Sequence, residues 1–84
     1  MTLNPTQLRI LDALRNATEL SVDELAAIFY QDRERWPYYW RGSVIATMRT
    51  MIELTRDNTE QVVRVSALGA GRRGVYALKK NDVN

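Results

Sequence analysis

The 84-residue sequence contains no cysteine and no histidine. Without them there is no disulfide, no thiolate nucleophile, no imidazole base and no Cys/His metal site. Proline is scarce, with two residues, and glycine has four. Long apolar runs are also missing. The longest, Leu25 to Tyr30, is far too short to cross a bilayer. The first residues lack a basic segment followed by an apolar one, so no secretory signal is read there. These absences lead to the expectation of a cytoplasmic, non-membrane module that is not an enzyme, with no cofactor and no small-molecule substrate.

What is present is the composition of a globular fold: 45% hydrophobic and 26% charged residues. The length admits one domain and one small core. The net charge is +2, unevenly spread. Residues 1–40 carry four arginines against six acids. Residues 41–84 carry six arginines and two lysines against four acids. A basic second half suits an anionic partner, of which nucleic acid is the commonest.

Two helix starts carry the same signature. Asn4-Pro5-Thr6-Gln7 combines a cap, a proline at the first helical position and a capping-box glutamine. Leu3 and Leu8 flank it as a hydrophobic staple. Leu8, Ile10, Leu11 and Leu14 then recur at helical spacing, which predicts a first helix over about 5–17. Ser21-Val22-Asp23-Glu24 is a second capping box, with Leu20 and Leu25 as its staple, and predicts a helix over about 22–31. Pro37 interrupts the following segment. Val44, Ile45, Met48, Met51, Ile52 and Thr55 share one face at 100° per residue, predicting a third helix over about 42–56. The period then changes. Gln61 to Leu68 alternates and is rich in valine, Gly69 to Gly74 is a turn, and Val75 to Leu78 is a second strand. Lys79 to Asn84 reads as a polar, frayed tail.

Helix, short link, helix, helix, then a two-stranded β-hairpin resembles the order of winged helix-turn-helix domains, an α+β fold. The resemblance covers residues 5–79, leaving 80–84 as tail. It rests on Ser21-Val22-Asp23-Glu24-Leu25-Ala26 opening helix 2, Arg41-Gly42-Ser43-Val44 heading helix 3, and the Gly/Arg hairpin. One departure is plain. The link before helix 3 runs to about ten residues here, where helix-turn-helix units use about three or four. The resemblance implies duplex-DNA binding, as in a sequence-specific transcriptional regulator. Helix 3 would enter the major groove through Arg41, Ser43, Ala46, Thr47, Arg49 and Thr50. The hairpin would be the wing, with Arg72 and Arg73 at its tip on phosphates or in the minor groove, and Arg64, Lys79 and Lys80 would add phosphate contacts or non-specific attraction. So small a reader would bind as a homodimer or in tandem. The alternative is a winged-helix module that uses helix 3 or its aromatic link to bind a protein partner instead of DNA.

Trp36, Tyr38, Tyr39 and Trp40 place four of the seven aromatics in five positions. Three uses fit them: a cap on the small core, a protein-protein patch, or direct DNA contact beside Arg33, Arg35 and Arg41. Arg49 and Glu53 lie at i,i+4 spacing and suit a local pair. The carboxylates stand singly or at helix starts, where they favour the dipole, and none is paired for acid-base chemistry. Gly69-Ala70-Gly71-Arg72-Arg73-Gly74 matches G-x-G-x-x-G in letters only. It lies between two strands, not between a strand and a helix.

Overall fold

In a computed structural model of the chain, residues 2–65 and 74–80 are described. The architecture is α+β: three helices and a three-stranded antiparallel sheet. The order is α1 (Pro5–Asn16), β1 (Leu20–Ser21), α2 (Val22–Phe29), α3 (Trp40–Leu54), β2 (Glu60–Val65) and β3 (Val75–Lys80).

Both capping boxes form. The Asn4 side chain accepts from the Gln7 backbone N–H at 2.8 Å, and the Gln7 side chain accepts from the Asn4 N–H at 2.9 Å. Ser21 and Glu24 exchange the same two bonds at 3.2 and 3.0 Å. Each box satisfies donors that a helix start leaves without a partner. The first staple fails. Leu3 packs against the core, but Leu8 is 52% exposed. The helix turns its buried face through Gln7, Ile10, Leu11 and Leu14 instead.

The helix limits shift slightly. Helix α2 closes at Phe29, two residues before the expected 31, and α3 opens at Trp40, two before the expected 42. Pro37 explains the second shift. Its carbonyl accepts from the Trp40 N–H at 2.9 Å, so the proline sits in the turn that launches α3. Having no N–H is no handicap there.

The sheet corrects the expected two-stranded hairpin. Its order is β1-β3-β2. Strand β1 adds Leu20 opposite Tyr76 and Ser21 opposite Val75. Two residues are too short for alternation to reveal a strand, and their pairing depends on a segment more than fifty positions away. Lys79 and Lys80 are also corrected. They finish β3 opposite Gln61 and Glu60 and do not fray as a tail. The expected continuation of the first strand through Ser66, Ala67 and Leu68, and the turn over 69–73, lie outside the described residues.

The core sits between the helices and one face of the sheet. Ile10, Leu14, Val22, Leu25, Val44, Met48, Met51 and Val62 are fully or almost fully buried, with Tyr76 closing the sheet side. Such aliphatic and thioether side chains each contribute roughly 1.5–3 kcal/mol on burial. Thr55 is the one hydroxyl among the largest fully buried side chains. Its Oγ1 donates to the Met51 carbonyl at 2.8 Å and accepts from the Val62 N–H at 2.9 Å. One side chain thus closes α3 and ties it to β2. Val62 N–H points away from β3, so Thr55 also occupies a donor on the outer edge of the sheet. An open edge invites pairing with another chain, and a filled donor blunts it.

Arg15 on α1 reaches Glu60 on β2 through Nε and Nη2 at 2.8–3.1 Å. The side chains are 48% and 29% exposed. The hydrogen bonds from Arg15 hold the Glu60 carboxyl below its ordinary value near 4.5. The same bonds raise Arg15 above its own. A carboxylate with a depressed folded-state pKa stabilises above the unfolded value and loses that contribution as pH falls through the folded value.

Two substitutions test these contacts. Thr55→Val keeps the shape but leaves a buried N–H unpaired, and denaturant unfolding should show a loss of about 1–3 kcal/mol. Glu60→Gln should flatten the decline in melting temperature below about pH 4.5. Melting curves of the natural protein and this variant from pH 7 to pH 2 check the second outcome, and parallel declines would refute it.

Candidate functional site

Helix α3 has two faces. Val44, Met48 and Met51 are buried in the core, and Thr55 follows them. The opposite face leaves Arg41, Gly42, Ala46, Arg49, Thr50 and Glu53 exposed. Ser43 and Thr47 lie half-buried on its flank. At 100° per residue, Arg41 and Arg49 fall on one ridge with Ile45, while Ser43, Thr47 and Thr50 fall on the other side. The sequence-derived residues of helix 3 are therefore all on or beside its solvent face.

Their side chains differ in freedom. Thr50 Oγ1 donates back to the Ala46 carbonyl at 3.1 Å, which leaves its oxygen able to accept. The expected Arg49–Glu53 pair does not form. Glu53 binds Arg56 instead, at 2.6 Å and i,i+3 spacing. Arg49 makes no ion pair among the described residues. Gly42 has nothing within 4 Å of where a Cβ would stand, so the start of the exposed face is open. Unlike α1 and α2, α3 has no side-chain hydrogen bond from its cap residue, Tyr39, to its first turn, and unlike α2 it has no acid in that turn.

The four-residue aromatic cluster divides. Trp40 packs against the core. Trp36 is 38% exposed and Tyr39 55%, while Tyr38 is 96% exposed. The rings of Tyr30, Trp36 and Trp40 form a row, with centroids 6.4 and 5.0 Å apart. Tyr38 and Tyr39 meet edge to face at 5.3 Å. Aromatic pairs favour such tilted contacts, because ring edges are positive and faces negative. Tyr30 belongs to the core and Trp40 packs against it, Trp36 bridges their rings from a partly exposed position, and Tyr38 and Tyr39 do not join the row. Sequence reading missed Tyr30 and Phe29, which extend the row at 4.6 Å. Phe29 ends α2 and Tyr30 is its C-cap, and neither carries a local mark of that role.

Two arginines lie on these rings. The Arg33 guanidinium is 5.7 Å from the Tyr30 centroid, and that of Arg41 is 5.0 Å from the Trp40 centroid. Both fall within reach of a cation–π attraction. The described residues contain two ion pairs, Arg15–Glu60 and Arg56–Glu53. Arg33, Arg35, Arg41, Arg49 and Arg64 take no part in them. Arg64 faces Tyr76 across the strand pair. Its Nε lies 3.3 Å from the position a Cβ would take on Gly74, and the Tyr76 ring lies 3.2 Å from the same point. A side chain at Gly74 would meet both of these groups closely, so they would have to shift by a few tenths of an ångström. Arg72 and Arg73 lie outside the described residues.

The charge pattern is sharper than a division into halves suggests. From Arg33 to Thr50 there are four arginines and one acid, Glu34. The other 66 residues hold eight basic and nine acidic side chains. The whole positive excess of the chain therefore lies in the α2–α3 connection and the first two-thirds of α3. Among the described residues there is no cluster of three or more metal-binding side chains, and no helix is long and apolar enough to cross a membrane. No family model, curated protein or solved structure matches this chain at a significant level.

Proposed function

We propose that the protein binds duplex DNA as a winged helix-turn-helix regulator, with α3 in the major groove. The observation that carries this reading is the exposed face of α3. It combines arginines that form no ion pair among the described residues with Ala46, Thr50, Ser43 and Thr47, in the one stretch that holds the chain's positive excess. Groove readers need this combination. Arginine bonds guanine bidentately, hydroxyls bond bases or phosphates, and a small residue lets the helix approach or touches a thymine methyl. The buried face of α3 is equally important. It holds the helix rigidly against the core, so the exposed face meets DNA without a further loss of backbone entropy.

The element order supports the same reading. Two short helices precede the presented one, and an antiparallel strand pair follows it. In this reading β2, β3 and the chain between them form the wing, with Arg64 along it and Arg72 and Arg73 towards its tip. Glycines on both sides of those two arginines suit a tip that follows the DNA backbone. One module of this size covers little DNA, so binding as a homodimer or in tandem fits a specific site.

Fluorescence anisotropy with labelled duplexes tests the proposal. After selection of a preferred site, Arg49→Ala should lower affinity for it by about 1–3 kcal/mol and narrow the gap to random DNA. Replacing Arg72 and Arg73 together by Ala should weaken binding to all sequences alike. It should also make the slope of log affinity against log salt shallower by about 0.9 for each phosphate that is no longer neutralised. Absence of duplex binding by the natural protein at low salt would overturn the proposal.

A further inference from the structure

We infer that the connection between α2 and α3 is itself a contact for the phosphate backbone, built on arginines held against aromatic rings; this rests on the duplex-DNA reading above. The segment from Tyr30 to Arg41 carries Arg33 and Arg41 at the two ends of the ring row Tyr30–Trp36–Trp40. A guanidinium over a ring face is fixed by the π-system, and its N–H donors remain free for an anion. A phosphate oxygen is the acceptor that fits. The bonds are charge-assisted, and the planar fork of arginine can engage two oxygens at once.

Three observations favour a nucleic-acid strand over other occupants. First, the arginines are not neutralised. Neither Arg33 nor Arg41 forms an ion pair among the described residues, although Asp32 and Glu34 are neighbours in sequence. Second, the segment is continuous with α3. Arg41 begins the ridge that leads to Arg49, so a strand lying along this ridge meets the connection next. Third, Tyr38 stands almost wholly in water and Tyr39 more than half so. A tyrosine presented in this way offers a hydroxyl to a phosphate as well as a ring. The unusual length of this connection thus acquires a purpose. It carries a second positively charged contact beside the presented helix.

The test replaces Arg33 and Arg41 with glutamine, singly and together, in the full chain. Both side chains are exposed, so circular dichroism and melting temperature should match the natural protein. Binding is measured on random and selected duplexes across a salt series. The double variant should weaken on both duplexes equally, with a slope shallower by about 1.8; each single variant should show about half that change. Tyr38→Phe, which removes only the hydroxyl, should weaken binding a few-fold on both duplexes. Duplex binding by the natural protein with an unchanged slope in the double variant overturns this inference and leaves the α3 reading intact. Weaker binding without a change in slope also overturns it, because the arginines would then only support α3. No duplex binding by the natural protein overturns both readings and directs attention to a protein partner for the exposed rings.

Discussion

The hydroxyl of Thr55 joins the two halves of this fold. It takes the end of α3 and the outer edge of β2 and satisfies both with one buried group. A buried hydroxyl with two good partners is nearly neutral in cost, whereas either backbone partner left alone would be expensive. The placement has a geometric effect. Helix α3 is held by its C-terminal end to the sheet and by Val44, Met48 and Met51 to the other helices. Its remaining face and its N-terminal turn are what the protein presents to solvent.

Charge is organised around the same helix. Three arginines away from its exposed face are engaged: Arg15 with Glu60, Arg56 with Glu53, Arg9 with the Thr6 hydroxyl. Those in the connection and on α3 have no ion pair among the described residues, and two of them lie against rings. Ion pairs on a surface contribute little to stability but do neutralise a local field. Four arginines without carboxylate partners among the described residues keep that field intact there.

Much of this was legible in the chain. The capping boxes at Asn4 and Ser21 are local hydrogen-bond programmes, so they form as their residues indicate. The stripe Val44–Met48–Met51–Thr55 needed only the helical period. Other features depended on partners distant in sequence. Strand β1 exists because β3 passes beside Leu20 and Ser21, and Lys79 and Lys80 are ordered because β2 pairs with them. Leu8 has the right spacing for a core position, but it lies on the outer flank of α1 once Gln7, Ile10 and Leu14 turn inward. Arg49 and Glu53 have the right spacing for a pair, yet Arg56 is a better-placed partner for the acid.

The helices, their starts, the class of the fold and the surplus of arginine near α3 are written in the order of residues alone. Each follows from short-range rules: backbone donors that need caps, an apolar period of 3.6, and charge that burial would penalise. The third strand, the use of Thr55 as a bridge, and the division of the aromatic cluster into a ring row anchored by Tyr30 and Trp40 and two exposed tyrosines arise only on folding. So does the choice of which arginines meet acids and which meet rings. Those outcomes turn on which surfaces come together, and contacts between remote residues leave no periodic mark in the chain.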